Sequence, residues 1–191
     1  MRHDAKLTLP LKKGIFLQKV TDEKELITIQ KLARKIWLEY YPAVITGEQI
    51  QYMLEKMYSM SALRKDAKKG IFFYLLFFGE KPIGFIAFSE QSGKKFFVHK
   101  FYILKKFRDK GLGSRIFSKL ISAFSCREVR LTVNRQNFRA VNFYFKQGFI
   151  IERVEDFDIG GGFFMNDFVM VWKKTKKPLK KGLKKARKTN Y

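Results

Sequence analysis

A chain of 191 residues, 46% hydrophobic and with 21 Phe, has the apolar content for one domain with an aromatic interior and a tail, and not for several domains. Its longest apolar run, the eight residues 71–78, is far short of the roughly 20 that a membrane-spanning helix needs, and its formal charge of +23 points to anionic partners. The single Cys126 excludes an internal disulfide and suits a reducing compartment, so a cytoplasmic location is expected, and no apolar leader is visible in residues 1–14.

Residues 15–20 read as a first strand. Asp22 and Glu25 have the spacing of a capping box, and Leu26, Ile29, Leu32, Ala33, Ile36 and Trp37 then recur at helical spacing up to Pro42. Thr46 and Gln49 open a second helix with Ile50, Met53, Leu54 and Met57 on one face. The period then changes. Residues 71–78 and 83–89 flank the turn Gly79-Glu80-Lys81-Pro82 and read as a hairpin, and 95–104 read as a third strand of this group. A helix over 111–124, a strand over 128–133 and a helix over 138–147 follow, the last ending at Gly148. Strands over 149–154 and 168–173 are separated by Gly160, Gly161 and Gly162.

The order predicts an α/β (α+β) fold with a central, mostly antiparallel sheet. Residues 1–14 are expected to be an extension, 15–173 the domain, and 174–191 a basic, disordered tail. Residues 173–188 hold ten Lys and Arg and no acid. That run serves either as a solvated tail or as an attractor of RNA, DNA or another anionic surface. It has no interleaved aromatics on which bases would stack.

Two segments carry chemistry. In the first, Phe101-Tyr102-Ile103-Leu104-Lys105-Lys106-Phe107-Arg108-Asp109-Lys110-Gly111-Leu112-Gly113-Ser114, an apolar strand runs through a basic turn into a helix. Glycines at 111 and 113 let the backbone approach a ligand closely, and the free N–H groups of the helix start favour an anion. Arg108 and Lys110 add full charges, so a pyrophosphate is the suited guest, although the same pattern also makes a plain tight turn. The segment lacks the Gly-Lys-Ser/Thr ending of a P-loop and the third glycine of a dinucleotide fingerprint. The second segment, 131–149, is a strand, an Asn-rich turn and a helix with the pattern N-x-x-N-x-x-A-x-x-F-Y-x-x-x-G-F.

Together the two segments resemble the acetyl-CoA-binding core of GNAT acetyltransferases, with the likeness running over residues 71–173. It implies a single GNAT-like domain, a mixed twisted sheet with helices on both faces, and transfer of an acetyl group from acetyl-CoA to a primary amine in a ternary complex. Backbone N–H groups of Arg108, Asp109, Lys110, Gly111, Leu112, Gly113 and Ser114 would then cradle the pyrophosphate. Tyr102 and Ile103 would hydrogen-bond the pantetheine arm, Asn137 would hold it through its amide, and Tyr144 would protonate the departing thiolate. Read without the resemblance, Tyr144 is equally a core residue of an apolar helix face, and Asn134 and Asn137 are turn and cap residues.

The family's usual carboxylate on the strand before the loop is replaced here by His99, either a general base or a structural histidine. Alternation along a strand puts His99 on one face with Phe101 and Ile103. Trp37, Tyr40 and Tyr41 close the first helix where the family, and its polyamine-acetylating members in particular, bind the amine. They serve as a cation–π surface or as packing, and Met53 and Met57 as packing. Asp167 is an acceptor contact or a turn residue.

The acceptor is a small amine, a polyamine or a protein amino group. The expected partners are that amine and an anionic partner, RNA or the ribosome, reached through 173–188; a homodimer is left open. No Cys/His cluster is present, so no metal is expected. The rival reading is a non-catalytic GNAT-like module that binds RNA or ribosomes through its basic surface.

Overall fold

The computed structural model describes residues 8–12 and 14–174; the basic run beyond Lys174 lies outside them. Helix α1, Glu23–Tyr40, starts where its spacing says it should. The Asp22 side chain accepts from the Glu25 N–H, and the Glu25 carboxylate reaches back to the cap. Its whole apolar stripe from Leu26 to Trp37 is buried, and Pro42 in the following turn stops it. Helix α2, Gly47–Tyr58, is opened by Thr46, which accepts from Gln49 N–H at 3.2 Å. Met53 is buried on its inner face, as packing. A further helix, α3, Met60–Lys68, is capped by Ser59. The sequence hid it because only Leu63 is buried, so it carries almost no apolar period.

Eight strands form one sheet: β1 Thr8–Lys12, β2 Ile15–Lys19, β3 Phe72–Phe78, β4 Lys81–Gln91, β5 Lys95–Ile103, β6 Glu128–Asn134, β7 Ile150–Gly160 and β8 Phe163–Lys173. They lie in the order β1-β2-β3-β4-β5-β6-β8-β7, and every pair is antiparallel except β5 with β6. β1 falls inside the stretch expected to be an extension. It is an edge strand with Pro10 in it and Leu9 alone buried, which explains why no strand pattern was visible. The β7–β8 hairpin is longer than expected at both arms. The polar outer half of β7 is exposed and reads as loop, yet it pairs with β8 from Ile150 to Gly160.

Helices cover both faces. On one, Trp37 and Tyr58 pack against Phe85 and Tyr102. On the other lie α4, Leu112–Ala123, and α5, Phe138–Lys146. There Phe124 packs with Tyr74, Phe88 and Phe96, and Phe117 with Phe149 and Trp172. The many Phe therefore form two aromatic layers, one on each side of the sheet. Among the described residues no helix is long and apolar enough to cross a membrane.

One irregularity decides which side chains reach the site. Ala87 pairs with Lys100 but Phe88 pairs with Val98, so β5 bulges at His99. The bulge puts His99 and Lys100 on the same side. Lys100, buried, pairs with Asp66 of α3 at 2.7 Å, and its ammonium lies 5.6 Å from the Tyr58 ring centre. Asp66→Ala strands that cation in the interior and is expected to cost about 3 kcal/mol of stability, read from denaturant unfolding.

Candidate active site

β5 and β6 pair only over Lys95–Val98 and Glu128–Leu131. Beyond Val98 they part, and a groove of about 420 Å³ opens between the end of β5, the start of α4 and one face of α5. Leu104 N–H donates to the Ile83 carbonyl of β4 at 2.9 Å. Antiparallel pairing alternates, so the backbone groups of Ile103 and Phe101 face away from β4, into the gap. Those of Tyr102 face β4; its side chain, not its backbone, serves the groove.

At one end of the groove stands the α4 N-terminus. Gly111, at φ +69°, caps it in the left-handed region, and no side chain satisfies the first turn. Gly111, Leu112, Gly113 and Ser114 line the groove there. The Ser114 hydroxyl is taken by Gln147 at 2.9 Å, so its contribution to a ligand is the backbone N–H. Asp109, also left-handed at φ +62°, pairs with Arg139 of α5. That pair ties the turn to α5 and offsets the acid's charge. Lys110 is exposed and does not line the groove. Arg108 folds inward: Nε donates to the Ile103 carbonyl at 2.6 Å, and the guanidinium lies 5.5 Å from the Tyr40 ring centre. Burial, then the nearby Arg139 charge, presses the Arg108 pKa down. An uncapped helix start beside crowded cations is a site for a diphosphate.

The middle of the groove is held by a clasp between α1 and α5. Tyr40 donates its hydroxyl to Asn137 Oδ1 at 2.6 Å, and the same oxygen accepts from Ala140 N–H at 3.1 Å. Asn137 therefore caps α5 with its oxygen and keeps its amide N–H₂ for a guest. Asn134 makes a turn, accepting from Gln136 N–H. Tyr144, about two turns on from the cap, lines the groove and packs on Phe143 and Phe149. Burial raises its pKa far above the usual phenol, so it stays a proton donor at neutral pH.

Past Tyr144 the groove ends in an aromatic chamber. Tyr41 and Tyr102 line it, while Trp37 lies beneath, buried and stacked on Tyr41 at 4.2 Å between centroids. Trp37 thus supports the chamber and does not face it. Burial also raises the Tyr41, Tyr58 and Tyr102 hydroxyls. Asp167 of β8 sits close enough to Tyr41 to act on its ionisation and is buried.

His99 is not brought to this groove. The bulge turns it away from Phe101, which packs on Phe143 of α5, and from Ile103, so the expected shared face does not exist. Its Nε2 lies 2.9 Å from the Ser89 hydroxyl. Burial, with the Lys100 charge next, lowers its pKa to about 4.

Residues 30–149 match the sequence model of the acetyltransferase (GNAT) family. The chain belongs to that family. It is an acetyl-CoA-dependent N-acetyltransferase of the GNAT type. It is 29% identical over 160 residues to a spermidine N(1)-acetyltransferase of Thermoplasma acidophilum, covering 80% of this chain and 96% of that protein. The PaiA N-acetyltransferase of the same organism, solved in complex with coenzyme A, superposes with a TM-score of 0.66 at 26% identity, over 84% of this chain and 99% of that one. A GNAT acetyltransferase of Streptococcus pneumoniae shares the fold, with a TM-score of 0.56 at 20% identity, over 84% of this chain and 99% of that one.

The groove of this GNAT enzyme fits coenzyme A on its own terms: N–H groups of the α4 start for the diphosphate, and, for the arm's amides, strand groups of Phe101 and the Ile103 N–H that β6 does not pair. The Phe101 backbone, Arg139, Asn142, Phe143 and Lys146 also line it and were not picked out from the sequence. The last four recur at helical spacing counted from Arg139, and that period was the available signal. Arg108→Ala is expected to weaken acetyl-CoA about tenfold, the scale of one charged contact, without weakening S-acetylpantetheine, which has no diphosphate. Calorimetric titration of both ligands checks this.

Proposed function

We propose that this GNAT enzyme acetylates a primary amine on a slender aliphatic chain, by direct transfer. The observation that carries the reading is the set of features that one groove brings together. The uncapped α4 start, Tyr144 and the rings of Tyr41 and Tyr102 line the same groove, and the buried acid Asp167 neighbours Tyr41 behind that lining. Bound acetyl-CoA supplies the activated acetyl group. The N–H groups of 111–114 hold its diphosphate. Backbone groups of Phe101 and Ile103 and the Asn137 amide orient the arm between the parted strands. Tyr144 gives its proton to the departing sulfur. Tyr41 and Tyr102 offer ring faces to an ammonium, and Asp167 offers charge.

Spermidine, the substrate named for the Thermoplasma relative, supports the aliphatic amine over a protein amino group. The test is thiol release from acetyl-CoA with spermidine, simple diamines and N-terminal peptides. Fastest turnover with a peptide overturns the aliphatic reading.

The run 173–188 adds a second reading, tethering to RNA or the ribosome, motivated by its ten cations and no acid. Truncation after Lys174 is expected to abolish salt-sensitive RNA binding and to spare turnover. Unchanged RNA binding sinks the tether.

A further inference from the structure

We infer that Asp167 is the group that takes the proton from the incoming ammonium, an inference that rests on the amine-acetylation reading above. Three charged side chains are among the most buried: Lys100, Glu128 and Asp167. Lys100 meets Asp66, and Glu128 meets Arg130. Asp167, 5% exposed, makes no ion pair among the described residues. A buried carboxylate without a paired cation is costly to the fold, and such groups concentrate where chemistry needs them.

Its place fits the task. Asp167 pairs with Asn134 at the end of β6, where β6 has already parted from β5. Tyr41 is a neighbour of both: the Asp167 charge raises the Tyr41 hydroxyl, and Tyr41 in turn acts on Tyr144. The proton donor lines the groove, and the carboxylate, buried outside its lining, shares Tyr41 with it as a neighbour. The groups that act on Asp167 are the Thr132 hydroxyl of β6, Arg135 after β6 and Asp156 of β7, and Asp167 itself acts on Tyr41 at the end of α1. Arg135 forms its ion pair with Asp156, so its charge acts on Asp167 from a distance and not as a salt-bridge partner. Burial raises the carboxyl to about pKa 6, with the Thr132 hydroxyl and Arg135 pulling it down. Asp167 is thus ionised at neutral pH and more basic than an ordinary aspartate. His99, at about 4, holds a proton far less well.

The step balances. Asp167 accepts one proton from the ammonium, leaving a neutral amine and a carboxylic acid. The nitrogen lone pair forms the C–N bond to the acetyl carbon as the C–S bond breaks. Tyr144 hands its proton to sulfur and regains one from the new amide nitrogen. Asp167 releases its proton to water, so ammonium and thioester give amide, thiol and one proton.

Two measurements on the full chain test this. In ¹³C carboxyl NMR of the protein alone, one Asp is expected to titrate near pH 6. That signal is lost in Asp167→Asn and moves to higher pH in Thr132→Val, which lacks the hydroxyl that favours the carboxylate. The kcat/KM profile with the fastest amine of the panel should fall below about pH 6 in the wild type. Asp167→Asn should lose that limb, drop roughly 30-fold at pH 7 and recover at high pH, with acetyl-CoA affinity unchanged; Asp167→Glu should restore part. If Asp167→Asn does not fold, Thr132→Val decides, because its limb must move with the carboxyl titration. A limb that persists in Asp167→Asn, or that stays fixed in Thr132→Val, overturns the assignment alone. A wild type that acetylates no amine overturns the reading beneath it as well.

Discussion

Tyr144→Phe is expected to lower kcat by roughly 10²–10⁴-fold and to leave acetyl-CoA affinity nearly unchanged. The substitution removes one oxygen. The ring keeps its contacts with Phe143 and Phe149, at centroid distances of 5.2 and 5.3 Å, so packing is preserved. What is lost is a donor that burial holds protonated throughout the neutral range. Because that pKa is raised, the donor form is complete at pH 7 and is lost only as pH climbs toward the raised value. Tyr144 therefore contributes no acidic limb, and any fall of rate below neutrality belongs to another group. The interaction forms only as the C–S bond breaks, so the loss should appear in kcat and not in binding. Stopped-flow thiol release with both proteins checks it. A variant with undiminished kcat and a lowered melting temperature would return Tyr144 to the core.

The parts of the site that are legible in the sequence are the parts that are local. The turn from Arg108 to Ser114 needs only two glycines and the start of a helix. The Asn137–Tyr144 pair needs only one helix period, and both segments fold as their spacing says. What was illegible depends on strands far apart in the chain. Alternation alone sends His99 toward the groove, and one extra residue against β4 sends it the other way. Arg108 reads as a free cation for the phosphates, but its Nε is engaged by the Ile103 carbonyl, which β6 leaves without a strand partner, while the residue still lines the groove. Asp167 reads as an acceptor contact or a turn residue near the last strand. Only the pairing of β8 with both β6 and β7 buries it and raises its basicity. The missed elements tell the same story. β1 and α3 each bury one side chain, and periodicity cannot be read from one residue.

Charge distribution links the two halves of the reaction. The chain's excess of cations suits a cofactor with several phosphates and disfavours a cationic acceptor at long range. The groove separates these demands along its length. Arg108, Arg139 and Lys146 stand at the diphosphate end, and Asp167 stands past the aromatic wall. On the proposed reading, an ammonium would be met by ring faces near a carboxylate, and the anionic cofactor by the cations that line the groove.

Gly113→Val tests the feature on which every role in the groove depends. A Cβ at Gly113 would stand 2.9 Å from Phe143 Cε2 and 3.2 Å from its Cζ. The Phe143 ring has little freedom to retreat, being set against Phe101 and Tyr144. A valine must therefore push α4 off α5 or drive the ring across the gap between β5 and β6. Either outcome moves the N–H groups of the α4 start away from a bound diphosphate. Acetyl-CoA affinity is expected to fall at least about 100-fold, near 2.7 kcal/mol, and Gly113→Ala to lose about tenfold. Gly47→Ala is the control: nothing lies within 4 Å of its Cβ and its φ is ordinary, so both affinity and fold should hold. Calorimetric titration gives the affinities, and circular dichroism shows whether the helices remain. Tight acetyl-CoA binding by a folded Gly113→Val protein would mean that the diphosphate is held elsewhere, and the roles given to Asn137, Tyr144 and Asp167 would have to be rebuilt around that other place.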